Sequence, residues 1–211
     1  MSKYAILKNK EGKTLVFYSC PKNGNSSVKL FIAKHLGVDS NFLFLSDKIP
    51  QVDQKDEDFM GKKNLIRFFP SKQRFHKVIA DYKCCIIRNP AERFVSAYKN
   101  RILFHKDKQF QNHNIDQILN KLEKNLFENK HFLPQSYFLG NNLSYYDFYC
   151  DLNNIKIFEK KVNEFFGNTI EFPKIQTGGN KISINLNNNQ LQRIKAIYSK
   201  DYVFLNNFKE V

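Results

Sequence analysis

The chain has 211 residues and sets 34 Lys and Arg against 20 Asp and Glu, a formal charge of +14. Its 42% hydrophobic content, with 21 Phe and 10 Tyr, suffices for a continuous core; this excludes a disordered tail protein and points to one domain over 1–211. No uncharged apolar run reaches the length of a membrane span, and the first twenty residues mix charge with apolarity instead of forming a signal peptide. A cytoplasmic protein without a transmembrane segment is the expectation.

A surface this basic attracts phosphate, sulfate, nucleic acid and anionic lipid alike. The lysines and arginines are scattered from Lys8 to Arg74 and beyond without the dense block of a nucleic-acid arm. Cys20, Cys84, Cys85 and Cys150 show no CxxC spacing, so buried reduced thiols are expected and no metal site.

Residues 4–8 and 14–19 are short apolar runs about a Glu11-Gly12 turn and read as a hairpin. The second run ends in CPKNGNSS, after which Val28, Leu30, Phe31, Ile32 and Leu36 recur at helical spacing until Gly37. Residues 38–77 carry weak signals, an acidic stretch at 53–58 among them, and read as loop-rich. KCCIIR is a compact strand, followed by Asn89 as helix cap and Pro90 at the first helical position. Residues 115–127 place Ile115, Ile118, Leu119, Leu122 and Leu126 on one helix face. Residues 155–158 read as a short strand leading into a helix that ends at Gly167; a last helix covers 188–199, and Gly178-Gly179 reads as a flexible joint. Strands alternating with helices predict a P-loop-like, three-layer α/β fold with a central, mostly parallel sheet flanked by helices.

Two segments carry chemistry. In the strand-to-helix turn Pro21-Lys22-Asn23-Gly24-Asn25-Ser26-Ser27, a helix N-terminus offers unpaired N–H donors and its positive dipole end to an anion. The order is wrong for a nucleotide triphosphatase loop, in which lysine follows the last glycine, whereas Lys22 precedes Gly24. The second segment, RNPAERFVSAY, opens another helix: Arg88 can fork onto a phosphate, and Ser96 lies about two turns along. Two anion sites at two strand ends imply one ligand with two anionic groups.

The pair PKNGNSS and RNPAERFVSAY, about 65 residues apart, resembles the two nucleotide-binding motifs of sulfotransferases of the carbohydrate type, bacterial members included. These use 3′-phosphoadenosine 5′-phosphosulfate (PAPS). A third segment, His131-Phe132-Leu133-Pro134-Gln135, is similar to the family's HxxPQ segment, and Tyr198, Asp201 and Tyr202 match weakly. The resemblance implies that Lys22 neutralises charge on the leaving group, that Asn23, Gly24, Asn25, Ser26 and Ser27 bind the 5′-phosphate, and that Arg88 and Ser96 bind the 3′-phosphate. Lys181 is placed over the nucleotide. The acceptor hydroxyl needs a base: His131 is the first choice, His76 the second, and Glu57 or Asp58 the carboxylate alternative. The scheme needs no metal. Other readings are a P-loop-type nucleotide kinase of aberrant motif, a basic nucleic-acid-binding protein and a catalytically silent donor-binding protein.

Overall fold

In the computed structural model, which describes residues 3–37, 66–70, 79–174 and 182–206, Lys3–Lys8 (β1) and Thr14–Tyr18 (β2) form the expected antiparallel hairpin. Its turn closes on Asn9, whose side-chain oxygen accepts from the N–H groups of Glu11 and Lys13. Ile66–Pro70 (β3) pairs with β1, while Tyr82–Ile87 (β4) and Phe148–Asp151 (β5) extend the sheet beyond β2. The strand order is β3-β1-β2-β4-β5, and β1 alone runs against the other four. The helices are α1 (Asn25–Leu36), α2 (Pro90–Tyr98), α3 (Ile115–Glu123), α4 (Gln135–Leu139), α5 (Ile155–Phe166), α6 (Asn188–Ile197) and α7 (Ser199–Asn206).

Side-chain alternation explains the layering. Leu15, Phe17, Cys84 and Ile86 point to one face and pack with Val28, Phe31 and Ile32 of α1 and Phe158 and Val162 of α5. Val16, Tyr18, Cys85 and Ile87 point to the other, against Phe138, Leu139, Leu143 and Tyr146. A strand apolar in both phases needs cover on both faces, so the three-layer α/β expectation holds. Beside this sheet, α2, α3 and α6 share a helical core around Phe94, Ile118, Phe132, Ile194 and Tyr198.

Several elements differ from expectation. Ile155–Phe158, read as a strand, opens α5: Ile155, Phe158 and Val162 are spaced by three and four, and the latter two are buried, which is helical periodicity that a short apolar run conceals. The strand lies just upstream at Phe148–Asp151, where only Cys150 is buried, so no alternation marks it. Leu126 is 48% exposed because α3 ends at Glu123 and Asn125 turns left-handed at φ 58°. Within 38–77, Ile66–Pro70 is a strand, β3, and the other residues lie outside the described ones; the last helix continues past Tyr198 into α7. Gly178-Gly179 lies outside the described residues. All four cysteines are buried and free, and burial pushes their thiols up. Among the described residues, no helix is long and apolar enough to cross a membrane, and no cluster of His, Cys, Asp and Glu could hold a metal ion.

Candidate active site

Because β2 and β4 are parallel neighbours, with Tyr18 opposite Cys85, the loops at their C-terminal ends open side by side. Ligands of open α/β sheets bind at this edge. In the first loop Lys22 and Gly24 both take the left-handed conformation, at φ 71° and 76°, and the Asn23 N–H closes the turn on the Cys20 carbonyl at 3.2 Å. A side chain at Gly24 would put its Cβ 2.8 Å from Leu152 Cδ1, so both conformation and space select glycine. No side chain caps α1, whereas Asn89, Asn114 and Asn187 cap α2, α3 and α6. The N-terminal dipole end of α1 is thus open to an anion, with the half-buried Asn25, Ser26 and Ser27 in its first turn.

The second loop carries Arg88 directly after β4. Its Nη1 donates to the Lys22 carbonyl at 3.0 Å, and its Nε lies 3.4 Å from Glu92 Oε2. Asn89 occupies the N-terminal donors of α2, accepting from Ala91 and Glu92, so a phosphate beside α2 must be held by side chains such as Arg88 and the half-buried Ser96. Arg93 points inward and is 2% exposed. Its Nε donates to the Pro21 carbonyl and its Nη1 to the Leu133 carbonyl, tying the first loop to the third segment.

His131 joins this cluster. Its Nδ1 lies 2.7 Å from Asn129 Oδ1; since that oxygen only accepts, the proton sits on Nδ1 and the lone pair on Nε2. Asn129 is itself held by Asp107 Oδ2 at 2.9 Å, and Asp107 is gripped by Arg101 at 2.6 and 2.7 Å. Arg101 lies in the widened π-type turn Lys99–Phe104 that prolongs α2, a local feature frequent at functional sites.

The electrostatics report an anion site. Burial, then Arg88, Arg101 and Arg93, hold Lys22 down at about 8. Burial, then Arg101, Lys22, Lys130 and Arg93, hold His131 at about 3, so its imidazole is neutral at physiological pH. Among the described residues, neither Lys22 nor Arg93 has a carboxylate within ion-pair distance. Cations crowded together without counter-ions are costly unless a bound anion supplies the missing charge.

The structure thus brings Lys22, Asn23, Gly24, Asn25, Ser26, Ser27, Arg88 and His131 to one edge, and Ser96 lies half-buried further along α2; His76, Lys181, Glu57 and Asp58 lie outside the described residues. Sequence reasoning missed Gln135 and Arg93 as struts and Asn129, Asp107 and Arg101 as the support of His131. The HxxPQ and RxPxxRxxSxY patterns hold Gln135 and Arg93, and nothing local in the sequence marks the other three. An α/β edge that offers a helix N-terminus, a lysine and a neutral histidine can hold an anion beside a proton acceptor. A family model described as a sulfotransferase family matches residues 9–209, and the chain belongs to that family. No curated protein and no solved structure matches it. It is a transferase of sulfonate groups.

Proposed function

We propose that the chain, acting as one sulfotransferase domain over 1–211, moves a sulfonate group from PAPS to a hydroxyl of a carbohydrate acceptor. The carrying observation is the adjacency of an uncapped α1 N-terminus and Lys22 with Arg88 at the next strand end. That pair of sites suits a donor phosphorylated at both 5′ and 3′ positions. The carbohydrate acceptor rests on the likeness of the two motifs to carbohydrate sulfotransferases.

The residues divide the work by charge. The N-terminus of α1 with Ser26 and Ser27 holds the 5′-phosphate, and Arg88 with Ser96 holds the 3′-phosphate. His131 Nε2 accepts the acceptor's proton as the acceptor oxygen bonds to sulfur. The sulfur's bond to the bridging oxygen breaks, and Lys22 balances the charge left on the departing phosphate.

The test is calorimetric binding of 3′-phosphoadenosine 5′-phosphate (PAP) against AMP and ATP. PAP binds tightest, and Arg88→Ala weakens PAP by roughly 10- to 100-fold, the size of a lost charge-assisted contact, while leaving AMP nearly unchanged. Equal affinity for all three ligands overturns the donor assignment.

A further inference from the structure

We infer that Gln135 is the positioning residue that sets the spacing between the two phosphate sites; this rests on the donor reading above. Its side chain is 0% exposed and belongs to neither anion motif, yet it bonds to both. Oε1 accepts from the Arg88 backbone N–H at 3.0 Å and from Asn23 Nδ2 at 2.7 Å, and Nε2 donates to the Arg88 carbonyl at 2.7 Å.

One amide therefore engages both backbone groups of Arg88, as a neighbouring strand residue would, at the point where β4 has run out. Through Asn23, which is 1% exposed and also donates to the Ile86 carbonyl at 2.7 Å, it fastens the first loop to the same place. The amide orientation is forced, since turning it over would set N–H against N–H at Arg88 and at Asn23. Gln135 is itself anchored: its N–H donates to the buried Asp201 carboxylate at 2.7 Å. With its side chain fully buried and engaged by Arg88 and Asn23, Gln135 acts on the donor through the loops that it joins.

A ligand with two anchoring groups gains from their fixed separation, because the second group binds at the high effective concentration that the first imposes. Loosening the bridge removes that gain and leaves each site's own affinity. The experiment is the isosteric Gln135→Met variant titrated with PAP, AMP and adenosine 3′-phosphate. The wild type prefers PAP over either monophosphate; in the variant this preference falls about tenfold or more while the two monophosphates lose under about threefold.

A merely structural role lowers all three affinities by the same factor, and that result, or an unchanged preference, overturns the inference. No PAP preference in the wild type itself fails the donor reading and the inference with it. If Gln135→Met does not fold, Gln135→Glu keeps the acceptor for the Arg88 N–H but sets a second oxygen against the Arg88 carbonyl, and the same comparison of the three ligands decides.

Discussion

Lys22 is the residue on which the first loop's conformation and charge converge. A non-glycine side chain at φ 71° costs on the order of 1 kcal/mol, and burial among three arginines penalises its charge as well. Replacing it by glycine relieves the backbone but widens the unfolded ensemble by a similar amount, so the two backbone effects nearly cancel and the charge decides. Folding holds Lys22 near 8, below its ordinary 10.5, so the penalty is full below pH 8 and fades between there and pH 10.5. Lys22→Gly is therefore expected to raise Tm at pH 7 by about 2–4 °C, an advantage that shrinks toward pH 10.5. Turnover falls by roughly 10²- to 10³-fold, as when one positioned charge is removed from a transition state. Thermal scans at several pH values check it; a lower Tm at pH 7 would contradict the electrostatic account. In the wild type, kcat/KM declines above about pH 8 as free Lys22 loses its proton, whereas the decline in kcat lies higher because a bound anion keeps Lys22 charged.

At the scale of elements, the prolongation of α2 supports His131, the proposed base. The His105 N–H reaches back five residues to the Asn100 carbonyl at 3.0 Å, a widened turn within which Arg101 reaches Asp107 and, through Asn129, His131. The groups acting on His131 are cationic: Arg101, Lys22, Lys130 and Arg93. With its neutral form favoured down to about 3, the wild type keeps its base through pH 5, and the acid limb of kcat/KM lies well below the ordinary histidine range. Asn129→Asp puts a carboxylate on the Nδ1 proton, favours the imidazolium and moves that limb up by about 1–3 pH units. His131→Ala abolishes turnover and leaves PAP binding intact. An acid limb near 6.5 in the wild type, unmoved by Asn129→Asp, would exclude His131 as the base. Much of this was legible beforehand. The β2 and β4 strands, the caps of α2 and the two anion loops follow from local signals, because strand-to-helix turns are built from neighbouring residues. The Asn129–Asp107–Arg101 support was not, since its members join across 22 residues through side chains that any polar loop could carry. β5 escaped for a related reason: a four-residue strand with one buried side chain has no pattern to read.

Over the whole molecule, the C-terminal helices reach the site through the backbone of the HFLPQ segment. Tyr198 at the end of α6 donates to the Phe132 carbonyl at 2.7 Å. Asp201 in α7, 0% exposed, accepts from the N–H groups of Gln135 and Ser136 at 2.7 and 2.8 Å. These contacts fasten the backbone of Phe132, Gln135 and Ser136 to the C-terminal helices. They explain why Tyr198 and Asp201, only weak matches to the family in sequence, stand near the chain's end. Asp201 satisfies the buried Gln135 donor and the half-buried Ser136 donor at the start of α4, and an amide in its place keeps one of them while opposing N–H to the other. Leaving a buried donor unsatisfied costs about 1–3 kcal/mol, so Asp201→Asn is expected to lower Tm by about 3–10 °C. If α7 also holds Gln135 in register, the variant loses part of its preference for PAP over AMP at temperatures where it is still fully folded. Calorimetry with both ligands well below the variant's Tm separates the two effects. A drop in Tm with an unchanged ligand preference would confine α7 to stability, whereas a drop in both makes the C-terminal helices a distant support of the donor site.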